Sequence, residues 1–396
     1  MEEYGGKHWD FGKKTKYEKK NIMEIKITHI TSEAFEWERP GLWNGSHFYG
    51  PGRLHKVTVY TNQGVYGTGW NGGTAATRPQ SFLRGFVDFY RPLLVGRNPL
   101  ETRKLTIDLG EKQNKILGPA GLHTQVLAAI IIACWDIKGK IENKSVHKLL
   151  GGKQQRVRAY IAGGYYAEGK GLKQLQDELL YNVTELNAKA VKMKIGDPVT
   201  GFTDDMKRVA AAREAIGPDI TLMVDANCAC DLQTAIDFAK ELEHYDVYWF
   251  EEPISIHNFK GYKLLNETSG VKIATGENYY SLADFETLLD NQGASILNVD
   301  ATICPGYDIA YDIAKMAEMR GINIAPHGCQ ELQLSLVAGV SNGEFLEYYP
   351  PEVDPLRGEL FFPKLTLNSD GYVTVPDKPG IGFNLNMDLL NRYRVG

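Results

Sequence analysis

The chain has 396 residues, of which 43% are hydrophobic and 23% charged, so its composition is that of a folded globular protein rather than of a disordered or fibrous one. A formal net charge of −5 gives no support for a nucleic-acid-binding surface, and the longest apolar run, residues 126–135, is too short to span a bilayer. Five cysteines without a CxxC pair are typical of free thiols in a reducing compartment, so we expect a cytoplasmic protein with neither a nucleic-acid nor a membrane partner.

The first part of the chain predicts a flexible tail, residues 1–21, followed by an α+β domain, residues 22–150. The tail is polar and charged and lacks the apolar stretch of a secretory signal. In the domain, alternating residues predict three strands, and 3.6-residue periodicity predicts three helices. The strands are at 25–30, 56–60 and 65–70, and the helices are near 78–94, 100–109 and 122–141. Between the first two strands, residues 38–52 form a long loop rich in glycine, proline and aromatic residues, and a loop of this length is usually functional or disordered.

From residue 151 to about residue 364, short β-rich runs alternate with segments that can carry a helix. The eight runs are 158–162, 190–195, 221–225, 247–250, 272–275, 296–299, 322–325 and 345–347. Eight β/α units predict a parallel (β/α)₈ barrel of the TIM type. An open doubly wound sheet is the alternative, but no GxGxxG follows the first strand. Residues 365–396 return to strands and turns, and we expect them to pack back on the N-terminal domain and complete it.

Ionisable residues stand at the ends of seven consecutive predicted strands, where the active site of such a barrel lies. Asp225, Glu251 and Glu277 end neighbouring strands and would form an all-oxygen site suited to Mg²⁺, with Mn²⁺ as a possible substitute. Three carboxylates this close would raise one another's pKa without a cation. The alternative is that each is paired with a structural arginine or lysine.

Two further groups at the strand ends are candidates for acid/base chemistry. Lys192 and Lys194 are two residues apart on one strand, so both point into the barrel mouth. We expect each ammonium to lower the pKa of the other, so that one becomes a neutral base. His327 and Asp300 lie across the mouth, where the carboxylate would fix the imidazole tautomer. A lone histidine is more often structural, but its strand-end position favours catalysis.

Taken together, these residues resemble the mandelate racemase subgroup of the enolase superfamily. The resemblance rests on the runs Val191-Lys192-Met193-Lys194-Ile195-Gly196, Asp225-Ala226-Asn227, Glu251-Glu252-Pro253 and Gly276-Glu277-Asn278, with Asp300, His327 and Glu347. It implies a catalytic set of Lys192, Lys194, Asp300, His327 and Glu347 around a metal site of Asp225, Glu251 and Glu277. In it Lys194 is one acid/base, tuned by Lys192, His327 with Asp300 is the other, and Glu347 hydrogen-bonds the substrate carboxylate. The implied chemistry is Mg²⁺-dependent removal of the proton α to a carboxylate, giving an enediolate.

The fate of the enediolate depends on the substrate, and the sequence favours one class of acid. Polar and aromatic residues in the 38–52 loop, with Trp43 and His47 as candidate contacts, favour a polyhydroxylated acid, and Asn227 and Tyr165 are further candidates. We therefore predict dehydration of a sugar acid to a 2-keto-3-deoxy acid by an enzyme that works as a homo-oligomer. Cycloisomerisation or racemisation of a similar acid is the alternative, and a non-catalytic sugar-acid-binding protein is an alternative of another class, although binding alone needs no paired bases.

Overall fold

A computed structural model describes residues 24–72 and 80–395. Its strands are β1 Ile27–Trp37, β2 Leu42–Trp43, β3 Phe48–Tyr49, β4 Gly52–Thr61, β5 Tyr66–Gly72, β6 Arg156–Ala162, β7 Tyr166–Ala167, β8 Ala190–Lys194, β9 Thr221–Asp225, β10 Val247–Glu251, β11 Lys272–Thr275, β12 Ile296–Leu297, β13 Asn323–Ile324, β14 Leu346–Tyr348, β15 Phe361–Phe362, β16 Tyr372–Thr374, β17 Asn384–Leu385 and β18 Arg394–Val395. Its helices are α1 Gln80–Leu94, α2 Thr102–Leu109, α3 Asn114–Leu117, α4 Leu122–Glu142, α5 Val146–Leu149, α6 Leu172–Thr184, α7 Gly201–Ile216, α8 Leu232–Leu242, α9 Phe259–Thr268, α10 Leu282–Asp290, α11 Tyr307–Glu318, α12 Gln330–Gly339 and α13 Met387–Leu390. The predicted tail at 1–21 and the start of the predicted helix at 78–94 lie outside the described residues.

The N-terminal sheet is antiparallel in the order β18-β1-β4-β5, and helix α4 packs closely on β5. Two glycines permit this approach, because a Cβ at Gly69 would lie 1.9 Å from the carbonyl oxygen of Ala129 and one at Gly67 would lie 2.0 Å from that of Ala133. By length and composition alone α4 could cross a membrane, but 89% of its most apolar stretch is buried inside the fold. It is the core helix of this part of the molecule.

The eight predicted runs all form strands, and their parallel pairing runs in the order β13-β12-β11-β10-β9-β8-β6-β14. A parallel bridge between Ile324 and Gly343, which precedes β14, joins the two ends of this path and closes the barrel. The sixth and seventh strands have two residues each, shorter than predicted. The predicted barrel is therefore confirmed.

Alternate residues of these strands point inward and fill the barrel below its mouth. Tyr160, Trp249 and Phe345 meet there edge to face, with ring centroids 5.2–6.2 Å apart. Because side chains alternate, Lys192 and Lys194 share the inward face of β8 with Ala190. The same parity aims the last residues of β9 and β10 into the mouth.

Two connections link the N-terminal region to the rest. The 38–52 segment, predicted as a loop, contains the β2–β3 hairpin, and β2 pairs with β7, directly after the first barrel strand. This pairing holds the segment over the barrel mouth. The C-terminal strand β18 pairs with β1, as expected for a tail that packs back, whereas β16 pairs with barrel strand β6. The domain boundaries at residues 150 and 364 stay predictions.

Candidate active site

Asp225, Glu251 and Glu277 come together at the mouth, and each offers a carboxylate oxygen within 4.8 Å of the others. Asp225 and Glu251 are fully buried side by side, since they are partners in the β9–β10 register. Glu277 Oε2 is buried and accepts no hydrogen bond from the described residues. An orphaned oxygen in a group of three carboxylates is what a site for a hard divalent cation presents, so the donor set fits Mg²⁺.

Lys192 is enclosed by carboxylates. Its Nζ lies 2.9 and 2.8 Å from the two Glu251 oxygens, 2.9 Å from Glu347 Oε1 and 3.5 Å from Asp225 Oδ2. Tyr160 contributes its hydroxyl at 3.3 Å. Lys192 therefore links the carboxylates of Asp225 and Glu251 to that of Glu347, which lies on the other side of barrel strand β6.

Lys194, two residues further along β8, contacts the same set of carboxylates through Asp225. Its Nζ lies 2.5 Å from Asp225 Oδ2 and 5.2 Å from the centre of the Tyr165 ring. Burial lowers the pKa of Lys194, but Asp225, Tyr49 and Tyr165 outweigh it and hold the pKa well above its usual value. The expected depression by Lys192 acts in the right direction but is smaller. In the metal-free site the carboxylates thus outweigh the mutual effect of the two ammonium groups, and the role of Lys194 as a neutral base stays a prediction.

His327 and Asp300 form the second acid/base pair. His327 Nδ1 lies 3.0 Å from Asp300 Oδ2, and His327 Nε2 lies 3.6 Å from Glu277 Oε2. Asp300 Oδ1 is fixed by the Thr302 backbone N–H and hydroxyl, both at 2.7 Å, and by Gln333 Nε2 at 2.6 Å. Burial lowers the His327 pKa, but the Glu277 and Asp300 carboxylates prevail and raise it to about 10.

Glu347 lies between the two acid/base groups. It accepts from the Gly328 backbone N–H at 2.9 Å and from the Tyr349 hydroxyl at 2.8 Å. Burial raises its pKa, but Lys192 and His327 hold the pKa well below its usual range. Glu347 is thus an acceptor here, and a hydrogen bond to an ionised substrate carboxylate requires it to take up a proton.

The four predicted substrate contacts have different positions. Tyr165 lines the cavity in front of His327. Asn227 is buried at the end of β9, with φ +44° and a side-chain oxygen that accepts nothing from the described residues. Trp43 instead stacks on Tyr166 with ring centroids 6.2 Å apart, and His47 is exposed. Contact of these two with a substrate stays a prediction.

The hairpin makes close contact with the barrel end through its tip. The Ser46 hydroxyl donates to the Asn227 carbonyl, and a Cβ at Gly45 would lie 2.7 Å from Ala229 Cβ and 2.8 Å from the Gly196 carbonyl oxygen. Tyr49, on the second hairpin strand, lines the cavity and is held by Asn44 Nδ2 at 2.7 Å. The segment therefore forms one wall of the active-site cavity.

Sequence reasoning missed Glu252, which is fully buried behind the carboxylate group. Asn278 Nδ2 donates to both of its oxygens at 2.8 and 2.9 Å. Burial and the Glu277 and Asp225 charges raise the pKa of Glu252 well above its usual value. The adjacent acid pair in Glu251-Glu252 was visible in the sequence, but strand alternation assigns just one of the two to the barrel interior.

Comparison with known proteins identifies the family. Residues 174–389 match the family described as Enolase C-terminal domain-like, and residues 50–151 match the Mandelate racemase / muconate lactonizing enzyme N-terminal domain. The chain is 32% identical to an arabinonate dehydratase of Saccharolobus solfataricus over 295 residues, 74% of this chain and 76% of the relative. The chain belongs to the mandelate racemase/muconate lactonizing enzyme group of the enolase superfamily.

Two further relatives match over nearly the whole chain. A D-galactarolactone cycloisomerase of Agrobacterium fabrum is 29% identical over 392 residues, 94% of this chain and 99% of the relative. The crystal structure of an L-talarate dehydratase from Polaromonas sp. JS666, complexed with Mg and L-glucarate, superposes with a TM-score of 0.83 at 27% identity, covering 94% of this chain and 98% of that one. Sugar-acid dehydratases and cycloisomerases are thus the enzymes that this chain resembles.

Proposed function

We propose that the protein is a Mg²⁺-dependent dehydratase that converts a sugar acid, an aldonate or aldarate, to a 2-keto-3-deoxy acid. The observation that carries this proposal is that two acid/base groups lie beside the same set of three carboxylates, Asp225, Glu251 and Glu277. Lys194 contacts Asp225, and His327 lies 3.6 Å from Glu277. The two bases belong to strands on opposite sides of the mouth, so a substrate held between them has one on each face.

Asp225, Glu251 and Glu277 would hold the ion, with one oxygen each and the orphaned Glu277 oxygen among them. Bound Mg²⁺, or Mn²⁺ in its place, supplies positive charge beside the substrate carboxylate, where negative charge grows as the α-proton leaves. With their charges engaged by the ion, Asp225 and Glu277 would raise the pKa values of Lys194 and His327 less than they do in the metal-free site. Both groups would then lie nearer the pKa values that acid/base catalysis needs.

The protein residues then carry the protons. Neutral Lys194 takes the α-proton, and the electron pair of the broken C–H bond forms the enediolate. The β-C–O bond breaks as protonated His327 delivers its proton to the departing hydroxyl, which leaves as water. Asp300 holds the His327 ring, and Lys192 and Glu347 position the substrate carboxylate. The enol product becomes the 2-keto acid.

Cycloisomerisation is the second candidate, because the match to the cycloisomerase relative extends over 99% of that protein's length. In that reaction the departing oxygen stays part of the substrate, so the same proton abstraction gives a product isomeric with the substrate. Product mass distinguishes the two functions, since dehydration removes one water.

A panel of sugar acids incubated with Mg²⁺ in D₂O tests the proposal. Wild-type enzyme should form a 2-keto acid from at least one member. His327→Asn should still exchange the α-proton for deuterium but lose turnover by orders of magnitude, whereas Lys194→Ala should lose both. Lys207→Ala, an exposed lysine on α7, is the matched control and should retain both.

The reverse pattern, exchange in Lys194→Ala and none in His327→Asn, would exchange the roles of the two bases. Binding of an acid without exchange by wild type would favour the non-catalytic alternative. We also propose a cytoplasmic location, supported by five free cysteines. The homo-oligomer stays a prediction that light scattering tests.

A further inference from the structure

A second, smaller cavity lies beside the active-site cavity, under the hairpin and the N-terminal sheet. The residues that line both cavities are Arg39, Gly72, Cys329, Asp354 and Arg357. Arg53 and Trp70 complete the polar lining of the smaller one. The first cavity is also lined by His327 and Asp300, so the second cavity is a neighbour of the acid/base pair.

Four buried N–H groups around the smaller cavity have no acceptor among the described residues. They belong to Arg39 Nη2, Arg53 Nη1, Arg357 Nε and Trp70 Nε1. Buried donors are almost always satisfied, because leaving one unpaired costs free energy. Four donors around one cavity indicate an acceptor that occupies it when the protein works.

The donors around the cavity are mainly guanidinium groups, and these suit an anionic acceptor. Three guanidinium groups face one carboxylate, that of Asp354, which already accepts from Trp37 Nε1 at 2.9 Å. Arg53 also pairs with Glu36 at 2.7 Å and Arg357 with Glu331 at 3.2 Å, so carboxylates outside the cavity lining already offset two of the three guanidinium charges.

Arg39 differs from the other two arginines, because it has no carboxylate partner within the described part of the chain. Its Nε donates to the Gly50 carbonyl at 2.8 Å, and its guanidinium lies 5.4 Å from the centre of the Tyr49 ring. Arg39 is thus the guanidinium most available to a ligand.

We propose that this cavity is a subsite for the second carboxylate of a dicarboxylic sugar acid. The inference rests on the proposed function, because it takes the other carboxylate to be the one at the metal site. The cavity volume of about 30 Å³ accommodates two water-sized groups, which suits the two oxygens of one carboxylate. The planar fork of a guanidinium matches that group and distinguishes it from the hydroxymethyl end of an aldonate.

Matched pairs of aldarate and aldonate, such as galactarate and galactonate and their stereoisomers, test the subsite with Mg²⁺-loaded enzyme. Wild type should show a kcat/KM at least about tenfold higher for the diacid of the reactive pair. Arg39→Gln should lower the ratio of diacid to monoacid kcat/KM by about 10–100-fold, as expected when a charge-assisted hydrogen bond to substrate is removed. Arg39→Lys should restore part of the ratio. Arg91→Gln, at a half-buried arginine of α1 that pairs with Asp88 and lies outside both cavity linings, should leave the ratio unchanged.

Several outcomes would overturn the subsite. If the ratio of diacid to monoacid kcat/KM is near one in wild type, the arginines are structural and water fills the cavity. The same conclusion follows if Arg39→Gln lowers kcat/KM equally for both acids. If acetate stimulates turnover of the monoacid, and Arg39→Gln abolishes that stimulation, the carboxylate is a separate ion and not part of the substrate. If no acid exchanges its α-proton, the proposed function fails. The subsite is then judged by calorimetry of the same pairs, where equal affinities overturn it.

Discussion

Asp300→Asn is expected to disable His327 without removing it. Asp300 Oδ1 accepts from Thr302 and Gln333, so the oxygen of the new amide takes that place and its nitrogen faces His327 Nδ1. Two donors would then oppose each other at 3.0 Å whenever Nδ1 is protonated. The ring is forced to the tautomer with its proton on Nε2, and the imidazolium is disfavoured.

The size of the effect follows from the same contact. At an effective dielectric of about 20, opposite charges 3.0 Å apart attract by about 5 kcal/mol. Loss of half of this lowers the His327 pKa by about 2, so the limb of the pH–rate profile that needs protonated His327 moves to lower pH. With the wrong tautomer as well, we expect kcat to fall by about 10³–10⁴-fold, as for the comparable substitution in a Ser-His-Asp triad.

The assay is steady-state formation of 2-keto acid across pH, together with α-deuterium exchange in D₂O. Thr302→Val removes one donor to Asp300 and keeps its charge, so it should cost far less. Asp312→Asn, in helix α11 and paired with Arg103, is the surface control. A fall in kcat of less than about tenfold in Asp300→Asn would refute the assignment of His327 as an acid/base oriented by Asp300.

Three further predictions follow from other contacts. EDTA should abolish activity and Mg²⁺ restore it, while Glu277→Gln should weaken Mg²⁺ binding but raise the melting temperature of metal-free protein, because relief of the repulsion among three clustered carboxylates outweighs the loss of the 3.6 Å contact with His327; a lower melting temperature in EDTA would count against this. Gly45→Ala should raise KM and destabilise the protein by about 1–3 kcal/mol, since its Cβ would lie 2.7 Å from Ala229 Cβ, and unchanged kinetics would show that the hairpin tip is not a wall of the site. Burial raises the Asp205 pKa to about 6, against the Tyr166 and Gly196 hydrogen bonds that lower it. The folded pKa is above the unfolded value, so this contribution to stability is present below about pH 4 and is lost as the pH rises to about 6. Asp205→Asn should therefore gain up to about 2–3 kcal/mol relative to wild type between pH 4 and pH 7 in urea unfolding, and a pH-independent difference would contradict the assignment.

The sequence by itself determined the barrel and the composition of its mouth. Alternating β and α runs are local patterns, and the inward parity of Lys192 and Lys194 follows from alternation within one strand. Parallel strands bring their ends to one rim, so Asp225, Glu251 and Glu277 could be placed together before any distance was known.

Tertiary structure alone decided what depends on pairing between distant segments. The β2–β7 ladder places the hairpin over the mouth, and β16 joins barrel strand β6, although neither register is encoded locally. The pKa of Lys194 likewise depends on Asp225, which is remote in sequence and adjacent in space. Arg39 and Arg357 line one cavity although they are 318 positions apart, and no local sequence pattern predicts this. Electrostatics and hydrogen bonding depend on distance through space, whereas periodicity reports just on neighbours along the chain.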